Sequence, residues 1–295
     1  MTARLEPGGL RRCFSTLGCV ELSFPGICEL AAEFEIPGIE LRGISGRMDM
    51  PQCCAEQGLS PEKIQEVCQR CRTQLLVAGS SLKLTGASEK ERNELVEICG
   101  WADALRIPYV RVFGGGTWGK PLTDADYTRA REFVAWWRKE QAAHNWRVEL
   151  LLETHDAFSA SEPCLRLNQG LERPLHLIWD SHHTWRVGGE APEFTWKALG
   201  PLVRHVQVKD SIDRPSARHP FTYVLPGDGQ APLGKIMAVL ERAQFAGFVS
   251  LEWERFWHPY LAPLRDALAR LQERNWFSNV LNEQASLRAS SAVAG

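Results

Sequence analysis

Eight short runs rich in β-branched and other apolar residues alternate along this chain with longer stretches of helical periodicity. This alternation is the strongest constraint on the fold, because repeated β-then-α units bury their strands in a parallel sheet that helices cover. The strands are predicted near residues 12–17, 38–42, 74–78, 108–113, 147–153, 175–180, 203–209 and 248–252. The helices are predicted near residues 24–35, 60–72, 88–105, 123–144, 159–170, 192–199, 231–245 and 260–276. The pattern therefore predicts an α/β protein.

Eight consecutive units favour a (β/α)8 TIM barrel over a doubly wound open sheet, which is the alternative architecture. An open nucleotide-binding sheet would place a glycine-rich turn after its first strand, but Gly18 and Gly26 form no Gly-x-Gly-x-x-Gly motif. The triple glycine at 114–116 follows the fourth predicted strand, where a barrel has a loop at its catalytic rim. The prediction is therefore a closed barrel.

Length and charge limit how the chain is organised and what it binds. Its 295 residues contain no long Ser/Gly/Pro-rich linker, so a single TIM-barrel domain over 1–295 is predicted, with the barrel at about 10–278 and a mobile tail at 285–295. A formal net charge of −2 disfavours nucleic acid and anionic membranes as partners, and no apolar run is long enough to span a bilayer. A small-molecule substrate is predicted, and a homo-oligomer is compatible with the sequence.

The cysteines and the N-terminal residues bear on the cellular location. Nine cysteines, an odd count without regular spacing, are typical of reduced thiols, and Cys68 and Cys71 lie in a predicted helix with no second pair to complete a zinc site. Arg11 and Arg12 look like the start of a twin-arginine export signal, but Glu21 interrupts the apolar stretch that should follow. The prediction is a cytoplasmic protein.

Four polar residues stand at the ends of four consecutive predicted strands: Glu153, Asp180, Gln207 and Glu252. Active sites of (β/α)8 barrels lie at the carboxyl ends of the strands, and a charged group inside a barrel is unfavourable unless it is paired or binds a metal. Three carboxylates beside a carbonyl ligand suit a hard or borderline divalent cation. The pattern predicts a metal-assisted enzyme, and the alternative is that each acid simply begins a loop.

Four motifs around these positions follow one another along the second half of the chain. They are Leu-Leu-Glu153-Thr-His155-Asp, Trp-Asp180-Ser-His-His183, His205-Val-Gln207-Val-Lys209-Asp210 and Leu-Glu252-Trp-Glu-Arg-Phe-Trp257-His258-Pro. Together they resemble the sugar phosphate isomerase/epimerase superfamily, the xylose isomerase-like and AP endonuclease family 2-like TIM barrels. The resemblance covers the second to the eighth predicted strands, and the order of the motifs makes it more specific than any single one.

The resemblance implies one divalent metal ion held by Glu153, Asp180, Gln207 and Glu252. Members of the superfamily often have His at the third of these positions, where this chain has Gln207. An amide oxygen is a harder ligand than imidazole, so Mn²⁺ or Mg²⁺ is favoured, with Co²⁺ or Zn²⁺ as alternatives.

The resemblance also implies a carbohydrate substrate and a proton-transfer reaction. In similar isomerases and epimerases the ion polarises the carbonyl of a chelated hydroxy-carbonyl compound and stabilises an enediolate. Glu153 and Glu252 would then be the catalytic acid and base, giving epimerisation or aldose–ketose isomerisation according to the carbon that receives the proton. Loss of a β-hydroxyl from the same intermediate would instead make the protein a dehydratase of an inosose-type substrate.

Further residues near the motifs are expected to contact the substrate. Those expected to bind its oxygens or to order the carboxylates are His155, His183, Arg186 and Lys209. Those expected to form an apolar wall and lid are Trp118, Trp253, Trp257 and His258. Arg186 has the alternative role of a loop salt bridge, and the segment 225–229 is a candidate phosphate cradle or an ordinary loop.

Two other functions remain as alternatives. A related branch of this fold hydrolyses DNA at abasic sites with several zinc ions, but that chemistry needs histidines from early strands. The segments 38–43 and 77–81 supply none. A barrel that binds sugar without turnover would be expected to lack a catalytic acid, whereas Glu153 and Glu252 are both present.

Overall fold

The computed structural model describes residues 10–278 and contains ten strands. They are β1 Arg11–Ser15, β2 Gly38–Leu41, β3 Gln74–Lys83, β4 Tyr109–Phe113, β5 Glu149–Glu153, β6 His176–Asp180, β7 Val203–Val208, β8 Asp210–Ile212, β9 Thr222–Val224 and β10 Phe248–Leu251. Eight of these close into a parallel barrel in the order β1-β10-β7-β6-β5-β4-β3-β2. The predicted (β/α)8 TIM barrel and its eight strands are confirmed. The predicted tail at 285–295 lies outside the described residues, and the single-domain organisation stays a prediction.

Helices connect the barrel strands. They are α1 Phe24–Glu33, α2 Met50–Glu56, α3 Pro61–Cys71, α4 Glu89–Ala104, α5 Asp124–Ala143, α6 Ser161–Gln169, α7 Ser181–Arg186, α8 Pro192–Leu199, α9 Leu233–Arg242 and α10 Leu264–Glu273. The eight predicted helices are present, and α2, α7 and the antiparallel β8–β9 hairpin were missed because they are too short to show a periodic pattern. Among residues 10–278, no helix combines the length and the apolar character needed to cross a membrane.

Polar residues at the helix starts explain where several helices begin. Ser88 caps α4 and Thr123 caps α5, each in a capping box in which the third helical residue, Glu91 or Asp126, bonds back to the cap. The short α7 begins directly at Asp180, whose Oδ1 accepts hydrogen bonds of 2.9 Å from the backbone N–H groups of His182 and His183. The end of β6 is therefore joined to a helix without an intervening loop.

The barrel interior changes from apolar to polar along its axis. An apolar cluster fills one part of it, formed by Cys13, Leu76, Val77, Leu151, Ile178 and Phe248. Towards the carboxyl ends of the strands the interior becomes polar, and the register places Gln207 level with Asp180 on one neighbouring strand and with Ser250 on the other. The parallel register therefore brings the predicted polar residues to one end of the barrel.

Candidate metal centre and active site

Three buried carboxylates converge at this polar end. Glu153 ends β5, Asp180 ends β6 and Glu252 directly follows β10, and each is at most 6% exposed. One oxygen of each carboxylate lies within 4.8 Å of the others. Burying three like charges together is unfavourable unless cations offset them. The structure thus brings the three predicted acidic ligands into a cluster of the size that one metal ion requires.

The amide of Gln207 lies beside Glu252 of the cluster. Its Nε2 donates to Glu40 Oε1 at 2.7 Å and to Glu252 Oε1 at 3.3 Å. Burial favours the neutral form of Glu40, but the hydrogen bond from His205 and the charge of Arg111 together lower its pKa. An ionised carboxylate only accepts hydrogen bonds, so the contact with Glu40 fixes which end of the amide is the nitrogen. The amide Oε1 is buried and receives no hydrogen bond from residues 10–278. A buried oxygen without a donor fits a cation, so the residues present are consistent with the implied metal.

Lys209 offsets the carboxylate charges from within the cluster. Its Nζ lies 2.8 Å from Asp180 Oδ2 and 2.6 Å from Glu254 Oε1, and it also donates to Glu252. The ammonium is almost completely buried, so these attractions act with little screening by water. Lys209 therefore provides the positive charge that keeps the metal-free cluster compatible with burial.

The catalytic candidates have altered acidities in the metal-free protein. Burial raises the pKa of Glu153 to about 7, although Arg111, whose Nη1 donates to Glu153 Oε2 at 2.9 Å, acts in the opposite direction. Burial likewise raises the pKa of Glu252 to about 8 against the attraction of Lys209. For Glu254 burial also favours the neutral form, but Lys209 dominates and lowers the pKa to about 2. Glu153 and Glu252 are thus poised to exchange protons near neutral pH.

The predicted histidines lie around the carboxylates. His183 Nδ1 donates to the Thr154 carbonyl at 3.0 Å, and burial lowers the pKa of this imidazole well below its usual range. His183 is therefore neutral, with Nε2 as the unprotonated nitrogen. His155 Nδ1 lies 3.0 Å from Asp156 Oδ1. His258 is 3% exposed, and no described residue hydrogen-bonds to its Nε2.

A cavity of about 400 Å³ opens above these groups. The predicted site residues that line it are Trp118, Glu153, His155, His183, Lys209, Glu252 and His258, and Trp257 lines it as well. Trp253 was predicted to form part of the cavity wall, but it does not line the cavity. Side chains alternate along an extended chain, so the residue after Glu252 faces away from the cavity. The Trp253 side chain is buried in the core, where its indole N–H donates to the Ala262 carbonyl. Arg186 does not line the cavity and pairs with Asp213 at 2.8 Å, so its role in substrate binding stays a prediction.

The candidate phosphate cradle at 225–229 is already occupied by a side chain of the protein. The backbone N–H groups of Gly227 and Gly229 donate to Asp210 Oδ2 at 2.8 and 3.0 Å. The N–H of Ala231 donates to Asp210 Oδ1 at 2.9 Å. These donors hold the carboxylate of Asp210, so the segment is an ordinary structural loop.

Sequence reasoning assigned no role to four charged residues of this region: Glu40, Arg42, Arg111 and Glu254. All four have little exposure to solvent, and Arg42, Arg111 and Glu254 line the cavity. A signal was present in β2 and β4, where single charged residues interrupt otherwise apolar strands. Such residues are expected to point into a polar barrel mouth, since burial elsewhere would leave them unpaired.

Comparison with known proteins agrees with the fold and the site region. The family described as xylose isomerase-like TIM barrel matches residues 28–274 of this chain. The chain belongs to the xylose isomerase-like TIM barrel family. No curated protein matches the sequence of this family member.

Several solved structures share the fold of this xylose isomerase-like protein. The IolI protein with a bound zinc atom superposes with a TM-score of 0.72 and 18% identity, covering 92% of this chain and 99% of its own. The probable 3-DHS dehydratase AsbF from Bacillus anthracis superposes with a TM-score of 0.71 and 17% identity, covering 89% of this chain and 99% of its own. The 3-keto-D-glucoside 4-epimerase YcjR from E. coli superposes with a TM-score of 0.65 and 13% identity, covering 90% of this chain and 100% of its own. At these identities the likeness shows a common fold.

Proposed function

We propose that this protein is a divalent-metal-dependent isomerase or epimerase that transfers a proton between positions of a small hydroxy-carbonyl substrate of the carbohydrate class. The observation that carries the proposal is the cluster of three buried carboxylates. The amide of Gln207 contacts one of them, Glu252, and its buried Oε1 receives no hydrogen bond from the described residues. The similar folds of an epimerase, and of a protein with a bound zinc atom, support both the reaction class and the use of a metal.

The metal would be held by Glu153, Asp180, Gln207 and Glu252. With three carboxylates, one amide and no imidazole, this set favours Mn²⁺ or Mg²⁺ over Zn²⁺ and Co²⁺. When bound, the ion would supply positive charge that polarises the substrate carbonyl and acidifies the neighbouring C–H bond.

The residues of the chain would move the proton and shape the substrate complex. Glu153 and Glu252 lie on β5 and after β10, separated around the barrel by β6 and β7, so they reach the cavity from different directions. One would remove the proton and the other return it, on the opposite face for epimerisation or at the adjacent carbon for isomerisation. The neutral His183 would accept a hydrogen bond from a substrate hydroxyl, and Trp118 and Trp257 would exclude water from the cavity.

A dehydratase is the second candidate function. A carboxyl that has taken the C–H proton of the substrate is suited to deliver that proton to a departing β-hydroxyl, and Glu153 or Glu252 would fill this role. The similar fold of the probable dehydratase AsbF is consistent with this alternative.

Deuterium incorporation tests the proposal directly. The Mn²⁺-loaded protein would be incubated in D₂O with a panel of ketoses, cyclitol ketones and hydroxy-keto acids, and the recovered compounds examined by NMR. We expect deuterium at a carbon next to a carbonyl in at least one compound, with an epimer or isomer as product. Loss of water would select the dehydratase, while binding heat without exchange across the panel would select a non-catalytic sugar-binding barrel.

Metal binding is expected to release protons. Since the pKa values of Glu153 and Glu252 are about 7 and 8 in the metal-free protein, these carboxyls carry protons that an ion must displace. Release should therefore be about one proton per ion at pH 7 and much smaller at pH 9, and Mn²⁺ affinity should rise between pH 6 and pH 8. Calorimetry in two buffers of different ionisation enthalpy measures this release. An affinity independent of pH over that range would contradict the assignment of these ligands.

A further inference from the structure

We infer that the substrate carries a carboxylate group and that Arg42 and Arg111 bind it beside Glu153. This inference rests on the proposed function, because it names the substrate class for the same cavity. The observations that carry it are the packing of two buried arginines, the lack of a direct ion pair to Arg42 among residues 10–278, and an N–H of Arg111 without an acceptor there.

Both arginines pack against one glycine of the intervening strand. Arg42 follows β2, Arg111 lies in β4, and Gly79 lies in β3 between them. A Cβ atom at Gly79 would come within 2.6 Å of Arg42 Cδ and 2.9 Å of Arg111 Nη2. The missing side chain therefore makes room for two guanidinium groups at the same place. They are 8% and 4% exposed, so water screens their mutual repulsion poorly.

Only one of these two guanidinium groups is bonded directly to a carboxylate of the described residues. Arg111 is paired with Glu153, as described above, but no carboxylate among residues 10–278 forms an ion pair with Arg42. Arg42 Nη2 instead donates to Ser81 Oγ at 2.6 Å and Nη1 to Met48 Sδ at 3.4 Å. The buried Nε of Arg111 has no acceptor in the described part of the chain. Glu153, Glu252 and Glu40 attract Arg42 from beyond ion-pair distance, so its guanidinium lines the cavity with only neutral hydrogen-bond partners among residues 10–278, beside Arg111.

The neutral partners of Arg42 favour a carboxylate as the ligand. A buried guanidinium without a directly bonded counter-ion is unfavourable, and a neutral sugar would leave it so. A carboxylate brings one negative charge into direct contact, and its planar pair of oxygens matches the guanidinium fork. A phosphate monoester would bring close to two charges, and the loop at 225–229 has no free N–H groups of Gly227 or Gly229 to help hold it. Lys83 does not alter the balance, because it pairs with Asp156 at 3.2 Å.

Small matched probes test the inference without requiring the natural substrate. Binding of glycolate, glycolamide and inorganic phosphate would be measured by NMR titration of the EDTA-treated full-length protein. Glycolate and glycolamide have nearly the same shape and differ in charge, so their comparison isolates the carboxylate. We expect glycolate to bind at least about tenfold more tightly than either other probe, as charge-assisted hydrogen bonds predict.

Two variants locate the binding. Arg42→Met should lower glycolate affinity by at least about tenfold, towards that of glycolamide. Arg218→Met is the matched control, because Arg218 lines the same cavity but is exposed, and it should change the affinity by less than about twofold. Equal binding of glycolate and glycolamide by the wild-type protein, tighter binding of phosphate, or an undiminished preference in Arg42→Met would overturn the inference. If Arg42→Met does not fold, the comparison of glycolate with glycolamide and phosphate on the wild-type protein still tests whether the cavity prefers a carboxylate.

The outcome is separable from that of the proposed function. The probes are measured without metal and without turnover, so a lack of deuterium exchange would not remove a preference for glycolate. Conversely, exchange into neutral ketoses by a protein with no such preference would leave the proposed reaction standing and refute the carboxylate.

Discussion

Replacement of Glu153 by Gln is expected to reduce deuterium exchange by about 10³-fold, within the range by which general acid–base groups contribute. Glutamine keeps the size of the side chain and an oxygen that can face a cation, but it cannot accept the substrate proton. Metal binding would displace the proton of Glu153, whose pKa is about 7 in the metal-free protein, so its carboxylate would be free to accept the substrate proton. The measurement is the initial rate of exchange at saturating Mn²⁺, with the bound metal determined in the same sample.

A control on the same strand separates this role from a general loss of charge. Glu149 begins β5, its side chain is 53% exposed and its contact is with His176 at 3.3 Å, so Glu149→Gln should leave the exchange rate within about twofold. Circular dichroism would verify that Glu153→Gln is folded, because Arg111 loses its buried partner in this variant. Full exchange by a folded, metal-loaded Glu153→Gln protein would exclude Glu153 as the base.

Replacement of Lys209 by Met is expected to lower the free energy of unfolding of the metal-free protein by about 3–5 kcal/mol at pH 8, the loss typical of a buried ion pair that is left without one partner. The variant removes the ammonium that lies among Asp180, Glu252 and Glu254, so their negative charges remain buried together. Urea denaturation in EDTA measures the change.

The response to metal and pH distinguishes a charge effect from a packing effect. Mn²⁺ should restore most of the lost stability, since its charge replaces that of the lysine. The loss should also be smaller at pH 6 than at pH 8, because Glu153 and Glu252, with pKa values raised to about 7 and about 8, are then protonated.

The control for this variant is Lys83→Met. Lys83 is 51% exposed, and within residues 10–278 it forms an ion pair only with Asp156, so its replacement should cost at most about 1 kcal/mol. An identical loss for Lys209→Met with and without Mn²⁺ would show that Lys209 acts only by packing.

The sequence by itself determined the barrel and the positions of its principal acids. Both depend on local patterns: the alternation of strand and helix periods defines the eight units, and the strand ends place Glu153, Asp180 and Glu252 at one rim. Gln207 and the expectation of a metal came from the same strand-end pattern, the family resemblance added the one-ion ligand set and the reaction class, and the family itself is confirmed.

Only the tertiary structure decided how these groups are paired. Glu40 orients Gln207 across a separation of 167 residues, and the position of Lys209 among three carboxylates depends on closure of the barrel. That Arg42 contacts neutral partners and no carboxylate directly is visible only once its neighbours from β3 and β4 are in place. A local pattern records which face a side chain occupies, but not which distant residue meets it there. The pairing that sets acidity and charge balance is therefore a property of the folded barrel.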